Sequence, residues 1–180
     1  MKNQKFKIVP AQSNIEWVGR KVTGSHNGTI AIKKGELVLN DGQLTGGTIV
    51  VDTATIKIDD ITDPQTNAQF AGHLASDDFF YSQQFPEAKL EIISLKGKHI
   101  EADLTIKGIT HRIAFEADVN VTESVLIAAA QIIIDRTHFD MKFRSGNFFS
   151  NLGDTLIYND FELNVTVTAK AEKKVVSSLV

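Results

Sequence analysis

The chain has no cysteine among its 180 residues, so disulfides, thiolate catalysis and cysteine-based metal sites are excluded. It lacks any strong charge bias: 19 basic and 22 acidic side chains leave a net charge of -3. A nucleic-acid partner would want a basic patch, and Lys33-Lys34 and Lys173-Lys174 are only pairs. No nucleic-acid partner is expected. Long hydrophobic runs are missing too. The longest, Val125 to Ile134, contains Gln131 and is too short to span a bilayer as a helix. No transmembrane segment is expected. The basic N-terminal stretch leads directly into Ile8-Val9-Pro10 with no apolar leader core, so the sequence as it stands reads as cytoplasmic. A periplasmic or secreted protein is the alternative if a leader has been trimmed. There is no Gly-x-Ser-x-Gly elbow, no glycine-rich phosphate loop, no internal repeat and no linker.

What is present is period-two alternation. Ile15 and Trp17 share a face. Ile100, Ala102, Leu104 and Ile106 alternate with charged or polar neighbours, as do Ile113, Phe115, Ala117, Val119 and Val121. Asn27-Gly28, Lys34-Gly35 and Asp41-Gly42 are expected to turn the chain, and Lys96-Gly97-Lys98 does so later. Glycines 46 and 47 inside the stretch Leu44–Ile58 mark a bend or bulge. One dry and one wet face is the antiparallel habit. Eight or more such strands make a sandwich or a barrel, and the glycine bends together with a single helical insertion favour the barrel. The whole chain reads as one domain, with a core over about 6–169 and a weakly patterned tail over 170–180 that is expected to fray or dock loosely.

The interruption near 63–81 is aromatic-rich. Asp63-Pro64 has the residues of an N-cap followed by a first-turn proline, and Phe70, Leu74 and Phe79-Phe80 are spaced nearer to 3.6 than to 2. One or two short helices are expected there, as a lid or plug. Phenylalanine is over-represented, with 11 against 2 tyrosines and 1 tryptophan, which suits a dry apolar surface or simply fills a core. Ala102, Ala117 and some of Ala128–Ala130 would leave room inside. Val125–Ile134 is dry on both faces, so its outer face needs a cover: a helix, the tail or a second copy.

Two polar clusters are candidates for chemistry. His73 and Asp77 sit four residues apart at helical spacing, beside Asp78, which suits a metal ligand pair or, more plainly, a solvated helix face. Arg136, His138 and Asp140 follow the most apolar strand. There Arg136, helped by Arg144, would pair an anionic group by its planar fork, or would be satisfied by backbone carbonyls.

Three segments in order carry a family resemblance. His73-Leu74-Ala75-Ser76-Asp77-Asp78-Phe79-Phe80 with Phe85-Pro86, then Ala102-Asp103-Leu104-Thr105-Ile106-Lys107-Gly108-Ile109-Thr110, then Arg136-Thr137-His138-Phe139 resemble the signature segments of the YceI-like, polyisoprenoid-binding family. Ser13-x-x-x-Trp17 and Asp52-Thr53 fit as well. The resemblance spans about residues 6–169. Ala102 stands where glycine is usual, and Tyr81 where aspartate is common. The resemblance implies an all-β, antiparallel lipocalin-like barrel of about eight strands, an isoprenoid, quinone or fatty-acid-like ligand in its lumen, no catalysis, no metal and a homodimer. Under that reading the lumen candidates are Trp17, Phe79, Phe80, Phe85, Leu104 and Ile106, with Phe115, Ala117, Ile127, Ala129, Phe139 and Phe148. Candidates for a polar head group are Arg136, His138 and His73. A hydrolase or metalloenzyme built on His73, Asp77 and Asp78 is one rival. A stress-related interaction module with a filled barrel is another.

Overall fold

The computed structural model describes residues 3–146 and 148–172. The chain runs β1 (Asn3–Ile8), β2 (Asn14–Lys21), β3 (Gly24–Asn40), β4 (Gln43–Ile58), helix α1 (Pro64–Leu74), β5 (Glu87–Lys96), β6 (His99–Ile106), β7 (Ile109–Val121), β8 (Val125–Asp135) and β9 (Ile157–Ala171). From β3 to β9 each strand pairs antiparallel with the next. β9 then pairs with β1 and β2, and both of these pair with β3, which closes the sheet.

β1 and β2 share one place in the wall. β1 lies against the later half of β3 (Phe6↔Leu37) and β2 against its first half (Ile15↔Ile30). Among the described residues, nine strands therefore make an eight-position closed barrel. The break between them is a 3₁₀ turn at Pro10–Gln12, where proline supplies a fixed φ and no ladder donor. Ser13 patches the gap: its Oγ donates to Val9 O at 2.9 Å and accepts from Thr168 N at 3.1 Å.

Two expected turns are not turns. Asn27 and Gly28 lie inside β3, opposite Val18 and Trp17. The chain reverses instead at Val22-Thr23, between the paired Lys21 and Gly24. Gly28 is a close-approach residue: a Cβ there would fall 1.7 Å from Lys57 O and 2.9 Å from the Trp17 ring. Lys34-Gly35 likewise stays in β3, next to a register slip between Ile32 and Lys34, and Gly35 makes room for the Ile8 side chain. Asp41-Gly42 does turn the chain, with Asn40 pairing Gln43.

The period-two pattern sets the core. Phe6, Leu37, Leu39, Leu126 and Ala169 are buried at one end of the barrel. Ile15, Trp17, Leu104, Ile106 and Ile134 point inward nearer the other. α1 begins where expected. Asp63 Oδ2 accepts from Thr66 N at 3.0 Å, and Pro64 takes the first helical position. Ser76–Phe80 continues as turns rather than a second helix, held by Phe79 N→Ser76 O and Phe80 N→Leu74 O, both 3.0 Å.

The expected tail begins too early. Lys170 pairs Val125 and Ala171 pairs Phe6, so both belong to β9. The rest of the tail beyond Glu172 lies outside the described residues. On the outer face of β8, Ile127 and Ile133 are 49% and 55% exposed among the described residues.

Candidate functional site

A cavity of about 410 Å³ lies inside the barrel at the end that carries the β2–β3 turn. Strands give one wall, with Trp17, Ile56, Leu104, Ile106 and Leu163 turned inward. The insertion gives another: Phe70, His73 and Leu74 from α1, then Phe79 and Phe80. The lining is mostly apolar. The cavity opens where Arg20, Arg144, Tyr158 and Asp160, all exposed, line its rim.

Local packing fixes these side chains. The Trp17 indole donates Nε1–H to Lys57 O at 3.0 Å and stacks near-parallel on Phe70, centroids 6.5 Å apart. Phe70 meets His26 edge-on at 4.9 Å. His26 Nδ1 lies 2.8 Å from Asp60 Oδ2, and Asn27 N–H donates to Asp60 Oδ1 at 3.1 Å. Desolvation pushes the Asp60 carboxyl up. The hydrogen bonds from His26 and Asn27 outweigh it and hold the carboxyl below its usual range.

His73 faces the cavity between two rings, edge-on to Phe79 at 5.1 Å and to Phe143 at 4.6 Å. Its Nε2 lies 2.9 Å from Asp78 Oδ2, within hydrogen-bond distance. Asp77, the partner expected from helical spacing, instead gives its backbone oxygen to Lys107 Nζ at 2.6 Å. Lys107 also donates to Asp140 O at 3.0 Å and so ties the insertion to the loop after β8. Nothing in the sequence pattern singled Lys107 out, because it is buried by contacts between two loops.

Arg136 is 3% exposed. Its guanidinium donates to four backbone oxygens: Nε to Tyr158 at 3.0 Å, Nη1 to Met141 at 2.6 Å, and Nη2 to Phe143 at 2.9 Å and to Ile157 at 3.1 Å. It also lies 5.9 Å from the Phe79 ring centroid. Burial draws its pKa down to about 10, opposed by the Asp135 carboxylate, so it stays cationic at neutral pH. Arg136 therefore organises the rim loops from behind. Four of its five N–H groups are used in these bonds.

The cavity thus gathers Trp17, Phe79, Phe80, Leu104, Ile106, His73 and Arg136 from the sequence candidates. It does not gather the others. Phe115 and Ala117 border a separate void of about 50 Å³ toward the opposite end, where the core is packed; Ala129 also borders it but belongs to the exposed, outward set of β8. Ile127 is outside the barrel, because the inward set of β8 is Leu126, Ala128, Ala130, Ile132 and Ile134. Phe148 is a surface residue, 50% exposed. Phe139 is buried away from the cavity, edge-on to His111 at 5.5 Å. Phe85 packs on Tyr81 at 6.0 Å and against Gly108. His138 is exposed and stacks on His111 at 4.9 Å. Phe70, Phe143 and the rim charges are additions. Phe70 was legible from its spacing to Leu74, whereas Phe143 sits in a loop without period. No three His, Asp or Glu side chains among the described residues gather closely enough to hold a metal ion.

Comparison with known proteins gives one family and several solved structures that share the fold. The YceI-like domain family matches residues 6–169. Among solved structures, a polyisoprenoid binding domain from Saccharophagus degradans, implicated in plant cell wall breakdown, superposes with a TM-score of 0.68 at 11% identity, covering 93% of this chain and 98% of that one. BcnA of Burkholderia cenocepacia gives 0.66 at 14% identity, covering 89% and 98%. The YCEI protein of Campylobacter jejuni gives 0.53 at 19% identity, covering 73% and 75%. At these identities the likeness establishes the fold. No curated protein matches the sequence.

Proposed function

The chain belongs to the YceI-like domain family, and from that premise we propose that it is a non-catalytic carrier that holds an isoprenoid or acyl chain in the barrel. The observation that carries this reading is the apolar cavity of about 410 Å³ with one polar, cationic rim. That volume lies in the range of roughly 300–1,000 Å³ common for small-molecule sites. The polyisoprenoid binding domain among its structural relatives supports the choice of ligand class. The cavity is closed below by packed side chains. A long polyprenyl chain would therefore be held over one segment, with the remainder or the head group at the rim. Arg136 and His73 are the groups we assign to that head. A filled barrel is disfavoured by the cavity volume.

Organic extraction of freshly purified protein followed by mass spectrometry tests the ligand. A fluorescent acyl probe tests the site. Ala88 lines the cavity and is buried, and Ala88→Phe fills part of it. Loss of two or three buried CH₂ contacts at about 0.8 kcal/mol each predicts affinity reduced by roughly tenfold or more, in a barrel that stays folded. Unchanged probe affinity in the folded variant would remove the cavity as the site.

We also propose a homodimer through the outer face of β8, where exposed Ile127 and Ile133 flank exposed Ala129 and Gln131. Sedimentation velocity should show the paired mass for the native chain and half of it for Ile127→Ser/Ile133→Ser. A native chain that sediments as a monomer ends this assignment.

A further inference from the structure

We propose that the cavity mouth is a docking surface for anionic lipid bilayers. The proposal gains its purpose from the carrier reading but rests on a separate feature, the outer rim. Four large apolar or aromatic side chains are half-exposed there: Val22 at 47%, Phe148 at 50%, Phe149 at 51% and Tyr158 at 48%. They come from three segments that the backbone ties together. Val22 N–H donates to Leu156 O at 3.2 Å, beside the pairing of Lys21 with Ile157. Ile157 N–H donates to Arg144 O at 2.9 Å. Phe148 and Phe149 both donate their N–H to Ser145 O, at 3.1 and 3.0 Å.

Cations are interleaved with these rings. Arg20, Lys21 and Arg144 line the mouth, and Lys142 Nζ sits 4.8 Å from the Phe148 ring centroid. Arg20 lies 3.7 Å from Glu162 and Lys142 lies 3.5 Å from Asp140. Lys21 and Arg144 have no carboxylate partner among the described residues. Asp160 is the one acid lining the mouth among the described residues. The protein as a whole is acidic at -3, so this rim departs in sign from the average surface.

Exposed aromatic side chains beside arginine and lysine form the pattern of an interfacial anchor: the rings enter the headgroup boundary and the cations meet anionic heads. The rim is continuous with the apolar cavity. A docked barrel would then present its opening to the bilayer, and a chain would pass between them without crossing water.

Vesicle co-sedimentation tests docking directly, with no cavity ligand required. The native protein should pellet with phosphatidylcholine vesicles containing phosphatidylglycerol at low salt, pellet poorly with phosphatidylcholine alone, and be released by added salt as charges are screened over about 10 Å at 0.1 M. Phe148→Ser/Phe149→Ser removes the rings. Lys142→Glu/Arg144→Glu reverses two cations and should weaken partitioning roughly thirtyfold or more. The two phenylalanines lie outside the cavity lining, so acyl-probe uptake by their variant should stay native. Equal pelleting with both vesicle types, or native pelleting by both variants, overturns docking. Docking that persists while the probe fails to load would instead overturn the carrier reading and leave this surface assigned.

Discussion

Replacing Arg136 by leucine is expected to cost about 4 kcal/mol or more, because each buried polar group left unpaired costs roughly 1–3 kcal/mol. The four acceptors are Met141, Phe143, Ile157 and Tyr158, drawn from the loop after β8 and from the start of β9. Leucine removes the donors and leaves the acceptors where the loop holds them. Arg136→Lys should be intermediate: it keeps the charge, but three donors on one ammonium cannot span four oxygens that a planar fork reaches. Urea unfolding at neutral pH reads both variants. The same variants should also bind a cavity ligand more weakly, since Phe79 and Phe143 would lose their support. A leucine variant within about 1 kcal/mol of the native chain would mean that water satisfies these carbonyls, and the organising role would fall.

The second large effect is at Gly28. Gly28→Ala places a methyl carbon where Lys57 O already sits, at 1.7 Å, with the Trp17 ring at 2.9 Å on another side. The obstacle is backbone, so a rotamer change cannot relieve it. Either the β3–β4 pairing around Gly28↔Ile58 opens or Trp17 gives up its bond to Lys57 O. Overpacking of this kind costs about 3 kcal/mol or more. Gly72→Ala is the control: nothing lies within 4 Å of its added carbon, and a helix interior gains roughly 0.5–1 kcal/mol from the exchange. The two variants should therefore move the unfolding midpoint in opposite directions. A native midpoint for Gly28→Ala would show that β3 and β4 part there easily.

These two positions also mark where sequence reading stops. Alternation along Ile100–Ile106 and Ile113–Val121 gave the inward face, because side-chain direction in a strand is local. It could not give height along the barrel axis. Leu104 and Ala117 both point inward, yet Leu104 lines the cavity and Ala117 the packed end. Height depends on how far each strand slides past its neighbours, a property of the whole closed sheet. Asn27-Gly28 has the residues of a hairpin turn, but its glycine answers a steric demand from Lys57, on the next strand. Val22-Thr23 turns the chain with no turn-forming residue at its two central positions, and only Gly24, at φ 149°, closes it. The aromatics of 136–149 had no period to sort them, so Phe143 and Phe148 could not be told apart before the loop was seen. Asp63-Pro64 was legible because a helix cap is written within four residues.

The shared slot of β1 and β2 has a consequence for synthesis. Both lie between β3 and β9, so the first strands made wait for the last one before the wall is complete. Until β9 leaves the ribosome, β8 on one side and β1 and β2 on the other are open edges, with Leu126, Ile132 and the cavity wall exposed to water. Such late, long-range closure makes folding slow and leaves an interval in which open edges can pair with another chain. The nascent protein, more than the finished one, is the species that would benefit from a chaperone.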